Sequence, residues 1–231
     1  MTHAFTVLVT GFEPFGGDAE NASWESVREL PSTWQLANAE LRVARLPVVF
    51  DAVGPSLEAL VAEHSADLVV AVGEAGGRLA ITPESTAHNA EDARIPDNAG
   101  KSPQGTIDVT RPELLPASID CAAIVRAIAA VGVNAEISDD AGRFVCNRVA
   151  WWLAADATVP GVFIHVPAIR SAGEATVGSE TDVPKDHSAA PSRPPSISRP
   201  HPTKTPPTIE ELRRGVQAAV ENAVEQVLQT R

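Results

Sequence analysis

The sequence predicts an α/β fold: one domain with a mostly parallel or mixed central sheet flanked by helices, in three layers (α/β/α). Three observations predict it. Short, almost wholly apolar runs, FTVLVT at 5–10 and DLVVAVG at 67–73, read as strands buried on both faces. Segments of helical periodicity separate such runs, so strand and helix alternate along the chain. Glycine-rich stretches, GFEPFGG and GEAGGR, follow two of the strands. In open α/β sheets the carboxyl ends of the strands are where ligands bind.

The elements follow in order. Phe5–Thr10 is the first strand, closed by Gly11. The GFEPFGGD loop superficially resembles a phosphate loop, but Gly17 and Asp18 stand where Lys and Ser/Thr are required, and Asp18 repels phosphate. Phe12 and Phe15, three apart, serve as core plugs or as the apolar walls of a small pocket. Trp24–Leu30 is a short helix and Leu41–Val49 a strand. Asp51 is expected to cap a helix running through His64, with Val53, Leu57, Leu60 and Val61 inward. Leu79–Glu84 alternates like an exposed or edge strand, and 87–102 is a polar, irregular loop of the length that more often carries function. A helix starts at Ser118 or Asp120 and runs to about Val131. Another starts near Cys146, with Val149, Trp152 and Leu153 at helical spacing. GVFIHVP, 161–167, is a strand with Phe163 and His165 on one face.

Two regions lie after that strand. Eight of the 19 prolines fall between Pro184 and Pro207. Residues 170–206 are therefore expected to form a proline-rich, disordered insertion that buries too little apolar surface to offset its ordering entropy. Thr208 and Glu211 make a capping box, and Ile209, Leu212, Val216, Val220, Val224 and Val227 form one apolar stripe. The domain is thus expected to comprise 1–169 together with 207–231.

Composition narrows the function. The net charge is −12 and there is no basic cluster, which argues against nucleic acid and anionic membranes as partners. Two cysteines 25 residues apart make neither a disulfide framework nor a zinc site. The N-terminus lacks a basic stretch followed by an apolar core, and no apolar run reaches membrane-spanning length, so a cytoplasmic location is the expectation. Cys146, at the start of a helix, lies where the dipole favours the thiolate; a buried structural cysteine is the competing reading. Cys121 has no base nearby in sequence and reads as packing. Cys146, His165 at a strand end and Glu84 at another supply the parts of a nucleophile–base–orienter set for acyl transfer, although each alone is commonly structural.

Four blocks carry a resemblance. VLVTGFEPFGGDAENASWESV, GEAGGRLAITPE with NAEDARIPDNAG, AGRFVCN and GVFIHVP are similar, in this order, to segments of pyroglutamyl peptidase I, the pyrrolidone-carboxylate cysteine peptidases. The resemblance runs from about Val7 to Pro167 and resumes in the C-terminal helix. It implies Cys146 as nucleophile, His165 as general base and then acid, and Glu84 as orienter. It implies Phe12 and Phe15 flanking the substrate ring, with Glu74 and Arg94 in the substrate region. The implied substrates are peptides with N-terminal pyroglutamate, the implied chemistry needs no metal or organic cofactor, and the implied assembly is a homo-oligomer, a tetramer by family habit. Glu74 departs from the family's glutamine and Arg148 from its histidine. The expectation is that Arg78 or Arg148 pairs with Glu74. Two other classes stand beside the peptidase: a catalytically impaired family member acting as a binding or scaffold protein, and a phosphate-dependent transferase of related architecture.

Overall fold

The computed structural model describes residues 4–171 and 207–231. A five-stranded sheet has the order β2–β1–β3–β9–β4. β1 (Phe5–Phe12), β2 (Ala39–Leu46), β3 (Leu68–Ala75) and β9 (Gly161–Pro167) run parallel. β4 (Thr82–Pro83) closes the edge antiparallel to β9. Successive side chains of a strand point to opposite faces, so the apolar runs feed two cores at once. Val7 and Val9 pack under α1 (Ala22–Val27), α4 (Cys121–Ala130) and α6 (Ile209–Gln229). Leu8, Val69 and Phe163 pack under α3 (Phe50–His64) and α5 (Val145–Ala155). A single turn, α2 (Leu30–Thr33), leads into β2. These are the three layers expected.

Several boundaries differ from the sequence reading, each for a physical reason. β1 and β3 extend through Phe12 and Ala75, so Phe12 and Glu74 sit on strands rather than in the glycine loops. Asp51 lies inside the first turn of α3. The helix is capped instead from a distance: the Asp97 carboxylate accepts the Phe50 N–H at 2.9 Å and the N–H groups of Ala99 and Lys101, also at 2.9 Å. Burial works against the Asp97 charge, but those three donors outweigh it and hold the carboxyl below its usual range. The segment 79–84 lies at the sheet edge, as β4, but only Leu79 of it is exposed. Ile81, Thr82 and Glu84 are buried, because Ala135 and Ser138 bridge to it from outside. The irregular 87–102 stretch holds two short strands, β5 (Thr86–His88) and β6 (Glu91–Asp92), paired with β8 (Leu114–Pro116) and β7 (Gln104–Gly105) respectively. On α5 it is Trp151, not Trp152, that is buried in the core.

α6 carries the expected capping box at Thr208 and Glu211, and Leu212, Val216, Val220, Val224 and Val227 are buried. No helix among the described residues is long and apolar enough to cross a membrane. Most of the proline-rich segment, 172–206, lies outside the described residues.

Candidate active site

The central strand β9 positions His165. His165 is 2% exposed and pairs in register with Gly73 of β3 on one side and Thr82 of β4 on the other. The Phe163 ring meets the imidazole edge to face at 4.9 Å, fixing its plane. Just past β4, the Glu84 N–H donates to the Phe163 carbonyl at 2.9 Å, which swings the Glu84 side chain under the imidazole. His165 Nδ1 and Glu84 Oε1 are 2.7 Å apart. An ionised carboxylate only accepts, so the Nδ1 proton lies between them and Nε2 is the basic nitrogen. Burial opposes the Glu84 charge, but the hydrogen bond from His165 and the positive charges of His165 and Arg78 outweigh it, leaving the carboxyl below its ordinary range.

Cys146 comes from the opposite layer. A left-handed turn at Gly142 (φ 77°) precedes α5, and Cys146 is the second residue of that helix. The N-cap Phe144 contributes no side-chain hydrogen bond, so the positive end of the helix is left open beside Cys146. The thiol lies directly over Gly73: a methyl group there would come within 3.0 Å of Cys146 Sγ and 2.6 Å of the Phe163 ring. Since Gly73 is the register partner of His165, the thiol over Gly73 and the imidazole lie over neighbouring strands. Asn147, fully buried, ties this turn to β5 by accepting the His88 N–H at 3.0 Å and donating to the His88 carbonyl at 2.8 Å.

Cys146 and His165 line one cleft. Its apolar wall is Phe12, Phe15, Val48 and Phe144, with Phe15 and Phe144 5.1 Å apart. Its polar wall is Glu20, Asn21, Glu74 and Arg170. The partner of Glu74 is neither Arg78 nor Arg148. Arg170 grips the Glu74 carboxylate through both terminal nitrogens, each at 2.7 Å, and also pairs with Asp18. Arg78 belongs to Glu84, and Arg148 reaches Glu91 at 3.2 Å. Arg170 falls within the stretch assigned from composition to the insertion, yet its side chain is only 6% exposed. Its signal was position: it follows β9 by three residues, at the carboxyl edge of the sheet.

Of the residues singled out in the sequence, Phe12, Phe15, Glu74, Cys146 and His165 line the cleft, and Glu84 stands behind His165. Arg94 is exposed and does not line it. Cys121 is buried, with its thiol against the Glu84 carbonyl at 3.5 Å; burial first, then the charges of Glu84 and Asp120, push it up to about 12, so it stays protonated at neutral pH. Among the described residues no group of His, Cys, Asp and Glu is arranged to hold a metal ion.

This is an α/β protein with a thiol and a carboxylate-bound imidazole in one cleft, a constellation suited to cysteine-dependent hydrolysis. The family model described as pyroglutamyl peptidase matches residues 5–186. The chain is 41% identical over 192 residues to pyrrolidone-carboxylate peptidase 1 of Photorhabdus laumondii, covering 76% of this chain and 87% of that one. It is 42% identical over 170 residues to the pyrrolidone-carboxylate peptidase of Thermococcus onnurineus, covering 71% and 84%. The crystal structure of pyroglutamyl peptidase I from Bacillus amyloliquefaciens superposes with a TM-score of 0.75 at 31% identity, over 96% of this chain and 97% of that one. The chain belongs to the pyroglutamyl peptidase family, a family of cysteine-peptidase hydrolases.

Proposed function

We propose that this enzyme hydrolyses the bond after an N-terminal pyroglutamyl residue, with Cys146 as nucleophile, His165 as proton carrier and Glu84 as its orienter. The observation that carries this reading is the Glu84–His165 contact of 2.7 Å beneath a thiol seated over Gly73, in a cleft whose opposite wall is aromatic. The phenylalanine wall suits the apolar ring of a small neutral lactam.

His165 Nε2 takes the Cys146 thiol proton, and the thiolate attacks the pyroglutamyl carbonyl, forming the S–C bond and a tetrahedral oxyanion. Backbone N–H groups in the first turn of α5, which Phe144 does not cap, are the donors placed to meet that charge. Collapse breaks the C–N bond, and the leaving amine takes the imidazolium proton from His165 Nε2. Water then attacks the thioester, His165 removes its proton, and the thiolate leaves. Glu84 keeps the Nδ1 proton in place and stabilises the imidazolium throughout. Homo-oligomeric assembly and a cytoplasmic setting also belong to this proposal, on the strength of family membership.

The test is release of a fluorophore from a pyroglutamyl-coupled reporter, with an unblocked alanyl reporter as control. The expected result is turnover of the first alone. Equal turnover of both, or of neither, contradicts the substrate assignment.

A further inference from the structure

We propose that Arg78 is a positioning residue of this site, locking Glu84 against His165 and tying that carboxylate to the turn that leads into the helix of the nucleophile. The inference rests on the Cys146–His165–Glu84 reading above.

The guanidinium joins three chain segments. Arg78 Nη1 lies 2.5 Å from Glu84 Oε1 and also donates to the Thr82 hydroxyl. Thr82 is the β4 residue in register with His165. Nη2 donates to the carbonyl of Asp140 at 2.8 Å, in the turn before Gly142 and α5. The Glu84 oxygen that Arg78 touches is the same one that meets His165 Nδ1. A fully buried carboxylate oxygen therefore sits between an imidazole and a guanidinium, and the planar fork of the guanidinium fixes where that oxygen lies. Any shift of the α5 turn is felt by Arg78, and through it by the orienter of the base.

The charges around Glu84 come from every neighbouring element. His165 faces it from β9 and Arg78 from the loop after β3. Cys121 contacts its backbone from α4 but stays protonated. Cys146 lies across the cleft on α5. The carboxylate of Asp140 turns away toward Arg143 at 2.6 Å and His88 at 3.7 Å. Among the described residues, Arg78 is the only lysine or arginine paired with Glu84. Removing a cation lets a neighbouring carboxylate or thiol take up a proton at higher pH, so both groups move the acid limb of activity in the same direction.

Arg78→Met and Arg78→Lys, made in the full chain with Cys121→Ser so that only one thiol reports, test this. Two readouts are compared: the pH dependence of kcat/KM on the pyroglutamyl reporter, and the pH dependence of Cys146 alkylation by iodoacetamide, which needs no turnover. For Arg78→Met the acid limb of both is expected to rise by about half a unit to one unit, with kcat down about tenfold or more and KM within about threefold. Arg78→Lys is expected to keep the wild-type acid limb while recovering only part of kcat, because an ammonium cannot span Thr82, Glu84 and the Asp140 carbonyl with the same geometry. An unshifted acid limb in Arg78→Met, or full kcat in either variant, overturns the proposal. Should Arg78→Met not fold, the lysine variant decides alone: wild-type kcat there overturns the proposal, and reduced kcat with a wild-type acid limb supports it. If the parent chain does not cleave the reporter yet its alkylation profile shifts in Arg78→Met, the peptidase reading falls and the role of Arg78 stands.

Discussion

Two thiols of one chain are separated by their surroundings rather than by their chemistry. Cys146 sits in the uncapped first turn of a helix beside an imidazole held by a carboxylate, whereas Cys121 is buried and held neutral. Cys146→Ala is therefore expected to lower kcat by about a thousandfold or more, and Cys121→Ser to leave it within a few-fold; reporter assays of both variants check this. Gly73 is a second decisive residue. Gly73→Ala places a carbon 3.0 Å from the thiol and 2.6 Å from the Phe163 ring, closer than packed atoms approach. Displacing the proposed nucleophile by a fraction of an ångström is expected to cost about ten- to a hundredfold in kcat with little change in melting temperature. The Glu74–Arg170 pair acts on stability. Arg170→Met leaves two largely buried carboxylates, Glu74 and Asp18, without this cation and is expected to cost about 3 kcal/mol. Removing the charge as well, in Glu74→Gln with Arg170→Met, is expected to recover much of that loss in thermal melts.

Among the elements, α3 and α5 show why position in sequence is a poor guide to who caps whom. The sequence reading placed Asp51 as the cap of α3, since a carboxylate before an apolar stripe is the usual signature. The cap is Asp97, 47 residues away, in a loop that shows no local periodicity. Asp97→Ala is expected to cost about 3 kcal/mol, read as a fall of about 6–12 °C in melting temperature. The folded-state pKa of Asp97 is depressed. Its stabilisation is therefore present above the unfolded carboxyl pKa and is lost as pH falls through the folded value. Asp97→Asn should flatten the acid side of a melting-temperature-against-pH curve; an unchanged slope contradicts the assignment. Strand and helix existence was legible because burial on both faces leaves unbroken apolar runs, and the α6 stripe with its capping box was read as it stands. Strand ends were not, because Phe12 and Glu74 continue their strands with side chains that serve the cleft, and local pattern does not distinguish those from loop residues.

For the molecule as a whole, the site forms where the carboxyl ends of β1, β3 and β9 meet the start of α5, with the neighbouring edge strand leading into Glu84. The residues proposed for the set, Cys146, His165 and Glu84, were nameable from motifs. Their partners were not: 59 residues separate Asn147 from His88 and 96 separate Arg170 from Glu74, while Arg78, only six residues before Glu84, is fixed on it together with the Asp140 carbonyl, 62 residues on. Arg170 and Ser171 are anchored by Glu74, Asp18 and Glu20 at the mouth of the proline-rich segment. Deleting residues 178–200, which lie outside the described residues, keeps those anchors and is expected to hold kcat within a few-fold. Truncation before Thr208 strips α6 from one face of the sheet and is expected to abolish soluble expression, since its buried stripe is continuous with that core.

The most direct test of the mechanism is rapid quenching in acid of enzyme mixed with an excess of pyroglutamyl substrate, followed by mass spectrometry of its proteolytic peptides. The expected result is the added mass of one pyroglutamyl acyl group on the peptide containing Cys146, absent from Cys146→Ala and from the peptide containing Cys121. Turnover in which the acyl group is found on Cys121, or in which Cys146→Ala retains the wild-type rate, would contradict it.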